Sequence, residues 1–257
     1  MSNSTLINYT ILSPNHSGQR TKKITRITPH CVVGQLSAEA VALSFQNPMR
    51  MASSNYIIGT DGDIALCVDE NNRSWCSSSS ENDQRAVTIE CASDAKEPYT
   101  MNGKVYNKLI QLCADICLRN NIHKLVWIPN KIKALNYAPK DGEAIITVHR
   151  WFANKSCPGD WLYNRLEDLA AKVNKILVKS SNILYHVQCG AFTSSRNASK
   201  MVNALKKDGF DCYVVEDKVY LVQCGVFCKQ KNAIALRDKL VEYGYTPIIK
   251  EIANGDD

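Results

Sequence analysis

The sequence predicts an α/β protein of two domains. The first is a mixed β-sheet flanked by helices; the second is a small α+β domain whose four-stranded sheet is built from two βαβ repeats. Three observations carry this expectation. Short apolar strands interleave with amphipathic helices through the N-terminal part of the 257 residues. "YHVQCGAF" at Tyr185 returns as "YLVQCGVF" at Tyr220, a period of 35 residues. Between these regions, 170–182 reads as a helix end followed by a short linker, which places the domains at 1–178 and 179–257.

In the first domain, "KITRITPHCVV" reads as a strand and "SAEAVALSFQ" as a helix that Ser37 caps. "SNYIIGTDGDIALCVDE" is a β-hairpin turned at Asp61-Gly62, and "AVTIECAS" a short apolar strand. "NKLIQLCADICLRNNI" has Leu109, Leu112 and Ile116 on one helical face. "GEAIITVHRWF" supplies a further strand ending at His149, and "GDWLYNRLEDLAAKVNKI" a final helix.

In each C-terminal repeat a strand sets Tyr, Val and Cys on one face and Gln on the other. A helix spans Ser195–Lys207, with Ala198, Met201, Val202 and Leu205 at helical spacing, and Gly209 and Gly244 suit helix ends that need left-handed backbone. The duplicated "VQCG" and its helix–glycine spacing resemble the SPOR family over residues 183 to 251. That resemblance implies binding to peptidoglycan, particularly to glycan strands stripped of their peptides. Gln188 and Gln223, expected on an open sheet face, are the candidates to hydrogen-bond sugar hydroxyls and acetamides. The aromatic strand of RNA-binding modules is missing, so nucleic acid is not an expected partner.

The formal net charge of +6 is mild and does not choose between anionic polymers. No apolar run reaches the ~18 residues of a membrane span, so no membrane insertion is expected. The N-terminus does not read as a secretory signal, so the chain is expected in the cytoplasm of the producing cell until a holin or lysis releases it. Eleven cysteines, an odd number with no CxxC pair, read mostly as small buried hydrophobes in a reducing compartment.

Five polar residues interrupt the apolar pattern. His30 ends one strand, Glu90 lies inside "AVTIECAS", and His149 is followed by Lys155 and Cys157 in "VHRWFANKSCPG". A carboxylate on a buried strand is costly unless paired or used. Two histidines and a cysteine at strand ends suit a three-ligand zinc site with one open position, the arrangement of a catalytic zinc.

"ITPHCVVGQ", "NDQRAVTIECAS" and "HRWFANKSCPG" together resemble the zinc-dependent N-acetylmuramoyl-L-alanine amidases of the Amidase_2 type, over residues 5 to 170. The resemblance implies Zn2+ on His30, His149 and Cys157, with Glu90 as general acid–base and Lys155 stabilising the oxyanion. It implies a peptidoglycan substrate, cut between N-acetylmuramic acid and L-alanine of the stem peptide. Members that only recognise peptidoglycan lose the ligand at the Cys157 position; this chain keeps it, which favours an enzyme. Tyr56 in "SSNYII" is set in the core rather than at the metal. The expected setting is a phage endolysin aimed at a clostridial-type Gram-positive wall. The alternatives are a bacterial autolysin of sporulation or mother-cell lysis, and a non-catalytic wall binder. A homo-oligomer stays open.

Overall fold

The computed structural model describes residues 3–181 and 183–253. The chain divides into two compact units, Met1–Leu177 and Val178–Asp257.

The first unit contains β1 (Tyr9–Thr10), β2 (His16–Gln19), β3 (Arg26–Cys31), α1 (Ala38–Ser44), β4 (Tyr56–Ile58), β5 (Ile64–Leu66), β6 (Asn72–Ser74), α2 (Ser80–Arg85), β7 (Ala86–Cys91), α3 (Gly103–Arg119), β8 (Lys124–Val126), α4 (Lys131–Leu135), β9 (Glu143–Ile146), α5 (Asp160–Tyr163) and most of α6 (Leu166–Ser181). A seven-stranded sheet runs β1-β5-β4-β7-β3-β9-β8, and β2 and β6 form a separate ribbon. Within the large sheet the β4–β5 hairpin is antiparallel and the other neighbours are parallel, so the sheet is mixed, as expected.

Strand alternation sorts the side chains between two faces. Ile27 and Cys31 of β3, and Val87, Ile89 and Cys91 of β7, pack with Leu109, Leu112 and Ile116 of α3 and with Leu169 and Val173 of α6. On the other face, Ile57, Ala65 and Cys67 pack with Ala38, Val41 and Ala42 of α1. The Ser37 side chain caps α1 by accepting from the Ala40 N–H. Tyr56 is buried and donates to Glu70 at 2.7 Å; Glu70 in turn takes both Nη atoms of Arg119 and Nδ2 of Asn120. This fully hydrogen-bonded buried cluster is what makes the Glu70 charge tolerable inside the fold.

Three element boundaries differ from expectation. Strand β9 stops at Ile146, and His149 instead opens a single 3-10 turn, His149–Trp151. The final helix is split into α5 and α6. There the Arg165 guanidinium takes the Trp161 carbonyl that a continuing helix would offer the Arg165 N–H, which bonds Leu162 instead. Helix α6 also runs on to Ser181 where a linker was expected, and Asn182 lies outside the described residues.

The second unit contains β10 (Ile183–Phe192), α7 (Ser195–Lys207), β11 (Tyr213–Glu216), β12 (Tyr220–Phe227), α8 (Gln230–Glu242) and β13 (Ile248–Ala253). The antiparallel sheet is ordered β11-β12-β10-β13, so the opening strands of the two repeats lie side by side at its centre. Val187, Cys189, Val222 and Cys224 pack with Ala198 and Leu205 of α7 and with Ala233 and Leu240 of α8. Gly209 (φ 84°) and Gly244 (φ 85°) end both helices in the left-handed conformation, letting Phe210 and Tyr245 bond back to Leu205 and Leu240.

Candidate active site

The central parallel strands build the site at their C-terminal ends, where open α/β sheets place their ligands. Strands β3 and β7 pair in register as Thr28↔Thr88 and His30↔Glu90. These four residues point away from α3, because the apolar residues between them face it. His149 follows β9, the other neighbour of β3, and Cys157 returns on the loop after it. A cleft of about 280 Å³ is lined by His30, Glu90, His149, Lys155 and Cys157, together with Cys31, Phe45, Arg50, Trp75 and Cys76. The structure thus brings five of the sequence-predicted residues to one cavity.

His30 Nδ1 is 3.2 Å from Cys157 Sγ and 4.0 Å from Glu90 Oε1, and the His30 and His149 rings are 5.1 Å apart. His30, His149 and Cys157 each offer a donor atom within 4.8 Å of the other two; His30, Cys76 and Glu90 form a second such group that shares the same histidine. His30 Nε2 and Glu90 Oε2 are buried without a hydrogen-bond partner. Buried polar atoms left unpaired are costly, and they cluster where a ligand completes the site.

Burial and the neighbouring His149 hold the His30 imidazole well below its ordinary range, and burial, opposed by Asp83 and reinforced by Lys155, lowers His149. Both rings are therefore neutral at pH 7, the form that binds metal ions. Burial pushes the Glu90 carboxyl up to about 8, against the pull of the Cys76 thiol and Arg50. A carboxyl poised near neutrality suits proton transfer in both directions. The adjoining Cys31 thiol and burial raise the Cys157 thiol well above its usual value in the metal-free protein. Lys155 is exposed at the cleft.

A second layer of residues escaped the sequence reading. Thr28 Oγ1 and Thr147 Oγ1 meet at 2.8 Å, and Asn82 bonds both, tying β3 and the end of β9 to α2. Asp83 accepts from the Cys76 and Ser77 N–H groups and organises the loop whose Ser78 Oγ sits 3.0 Å from His149 Nε2. Such outer contacts fix the tautomer and direction of a ligating imidazole. The ligand loop is braced by Arg150, whose N–H donates to the Cys157 carbonyl at 3.0 Å. Its guanidinium bonds the Ser156 carbonyl and pairs with Asp160 at 2.8 Å. Gly159 (φ 82°) follows; a Cβ there would meet the Pro98 carbonyl oxygen at 2.7 Å. The serine-rich stretch "CSSSSENDQR" has no apolar period and gave no signal, whereas an arginine directly after the ligand candidate in "HRW" was readable.

The profile of the N-acetylmuramoyl-L-alanine amidase family matches residues 20–160, which include all five of these residues. The chain belongs to that family. This amidase therefore stands among enzymes that hydrolyse peptidoglycan amides, and it carries a SPOR domain, whose profile matches residues 181–219. Among solved structures, the catalytic domain of XlyA is 17% identical to the amidase, covering 64% of this chain and 97% of that one with a TM-score of 0.47. The endolysin amidase LysCS from Clostridium intestinale URNW is 16% identical, covering 66% of this chain and 99% of that one, TM-score 0.43. The peptidoglycan-binding domain of the B. subtilis cell wall lytic enzyme CwlC is 34% identical, covering 28% of this chain and 94% of that one, TM-score 0.27. No curated protein matches.

In the amidase's SPOR domain, Gln188 and Gln223 are register partners on the central strands. They are 5% and 2% exposed rather than open to solvent. In the register Tyr213 stands beside Gln223 and Ile248 beside Gln188, and these outer side chains are 53% and 60% exposed. Gln223 also pairs with His186 Nδ1 at 2.9 Å.

Proposed function

We propose that the chain is a zinc-dependent N-acetylmuramoyl-L-alanine amidase with His30, His149 and Cys157 as metal ligands, Glu90 as general base and acid, and Lys155 as oxyanion stabiliser. The observation that carries this reading is the convergence of two neutral imidazoles and a thiol within 4.8 Å, beside a carboxyl held in register with the first ligand. The donor set fits zinc: nitrogen and sulfur ligands at about 2.0–2.3 Å from a tetrahedral ion stand about 3–4 Å from each other. The 3.2 Å from His30 Nδ1 to Cys157 Sγ falls there. The His30–Cys76–Glu90 group is the poorer candidate, since it would consume the base and its Cys76 thiol is held protonated by burial.

Zinc held there supplies a Lewis acid that brings the pKa of water toward ~7 and polarises the amide carbonyl. Glu90, with one oxygen free of protein partners, accepts the proton of the attacking water and returns it to the departing L-alanine nitrogen. Lys155, on the braced loop, donates to the carbonyl oxygen as its negative charge develops. The loop contacts of Arg150 and the Ser78–His149 bond keep these groups in place before substrate arrives.

The SPOR domain serves as the glycan-binding module. The row Tyr213–Gln223–Gln188–Ile248 across its sheet sets an amide pair between an aromatic and an aliphatic side chain, and Gln188 and Gln223 are assigned as the polar floor of that surface. The domains are accordingly a catalytic 1–178 and a peptidoglycan-binding 179–257. The setting we assign is a phage-type endolysin of a Gram-positive host, held in the producing cell until a holin or lysis releases it. An autolysin of mother-cell lysis would use the same chemistry, and gene neighbourhood separates the two. The deciding experiment is mass spectrometry of peptidoglycan digested by the full chain. The expected products are stem peptides with a free L-alanine amine, lost on chelation and in Glu90→Ala, which keeps its zinc. Undiminished activity after chelation would sink the metal mechanism; full lysis by Glu90→Ala would sink the role of Glu90.

A further inference from the structure

We propose that Cys189 and Cys224 form a redox modification site: a thiol pair under reducing conditions that an oxidised small thiol of the glutathione class converts into a disulfide joining the two repeats. Both residues belong to the second unit, and neither has a role in the amidase reading.

The repeat and the sheet together bring the two cysteines into contact. One period of 35 residues separates Cys189 from Cys224, as it separates Gln188 from Gln223. Gln188 and Gln223 pair with each other across the antiparallel strands β10 and β12, so the local two-fold axis that relates the repeats passes between them. The register slips on both sides of this pair. Val187 pairs with Gly225, which leaves Cys224 as an extra residue on β12; Ala191 pairs with Leu221, which sets Cys189 and Gly190 against Val222 alone. A bulge bends its strand and re-aims a side chain. Here one bulge on each strand carries a cysteine, and both cysteines join Val187 and Val222 in the cluster beneath α7 and α8. The two thiols are hydrogen-bonded, Cys224 donating to Cys189, and that bond holds the Cys189 thiol below its ordinary value.

All eleven cysteines are free thiols. For sulfurs already in contact, closing to the ~2.05 Å of a disulfide moves each by about 1 Å. The cover over this pair is thin. Helix α7 buries Ala198 and Leu205 and helix α8 buries Ala233 and Leu240, and the cysteines keep 5% and 8% of their surface open. Local opening of one helix admits a small oxidant.

The chemistry is thiol–disulfide exchange. Cys189 as thiolate, the better nucleophile of the two, attacks one sulfur of the small disulfide and expels a small thiolate, which takes up the proton Cys189 released. Cys224 then gives up its proton and displaces the second small thiol from the mixed disulfide. Two protein thiols and one small disulfide become one protein disulfide and two small thiols, so the electron pair passes to the oxidant. The new bond ties β10 to β12 and removes freedom from the unfolded chain.

The test equilibrates the full chain, purified reduced in the presence of zinc, in mixtures of reduced and oxidised glutathione. After acid quench and blocking of free thiols, digestion without reductant should give a peptide pair linked Cys189–Cys224, which dithiothreitol abolishes. Amide exchange of the most protected β10 and β12 residues should slow by about 30-fold in the oxidised protein. Cys212, in the same apolar cluster, is the control: Cys212→Ser should keep the link, whereas Cys224→Ser should stop at a glutathione adduct on Cys189. The wild-type peptide map needs no variant to fold. Absence of the linked pair in fully oxidised glutathione, a link from either cysteine to Cys212 or Cys228 instead, or unchanged or faster exchange in β10 and β12 would each overturn the proposal.

Discussion

Replacing Glu90 by Gln should make the metal-free protein more stable near neutral pH while abolishing catalysis. Burial raises this carboxyl from the ordinary 4.5 to about 8. The folded state therefore binds the proton more tightly than the unfolded chain does, and stability falls as pH rises between those values. Below about pH 4.5 both states are protonated and the charge costs nothing; above pH 8 the full cost is present. At 1.36 kcal/mol per unit, the shift corresponds to an upper figure of ~4 kcal/mol at pH 8. The side chain is 15% exposed, so water reaches it and the figure shrinks to about 1–3 kcal/mol. The new amide lacks a partner for its second position and gives back about 1 kcal/mol. A net gain of about 0–2 kcal/mol raises Tm by up to about 6 °C for a domain of this size. Calorimetric melting of wild type and Glu90→Gln in chelator, at pH 4.5 and pH 8, checks this. The gain should appear only at pH 8, and zinc should shrink it, because a cation beside the carboxylate offsets the cost. A Tm difference independent of pH, or a less stable variant at pH 8, would refute the burial argument.

Other outcomes follow from the same geometry. Cys157→Ser should purify with well under the about one equivalent of zinc held by wild type, by atomic emission, because the alcohol is a poor replacement for a thiolate. Lys155→Ala should keep its zinc yet lose about 10²–10³-fold in kcat, since the lysine is exposed and its proposed role is at the oxyanion. Gly159→Ala forces a Cβ against the Pro98 carbonyl oxygen at positive φ; it should cost about 2–3 kcal/mol in urea unfolding and weaken zinc retention by moving Cys157. Arg119→Met leaves the buried Glu70 charge uncompensated and should cost about 3–5 kcal/mol, with metal content unchanged in the folded fraction.

The strand-borne half of the site is written plainly in the chain. In "ITPHC" and "VTIEC" the apolar residues alternate with Thr28, His30, Thr88 and Glu90, and a period of two puts each polar pair on one face. The loop-borne half depends on neighbours that no local pattern reveals. Ser78, Asp83 and Asn82 come from a polar stretch without periodicity, and their contacts to His149, Cys76 and Thr28 exist only once α2 has packed against β3. His149 was readable as a ligand candidate but not as the start of a 3-10 turn. Gln188 and Gln223, expected on an open face, are instead buried. Gln223 is bonded to His186 of the neighbouring strand, a contact that a single strand's pattern does not reveal. The helix break at Asn164-Arg165 has no proline or glycine to announce it, because a side chain competes for the backbone carbonyl.

The brace around Arg150 bears on how the proposed metal would be held. The loop from His149 to Cys157 is closed by a backbone bond, an ion pair to Asp160 and bonds to the Ser156 carbonyl, none of which involves an ion. On the proposed zinc reading, the position of Cys157 is therefore set by protein contacts as well as by the metal.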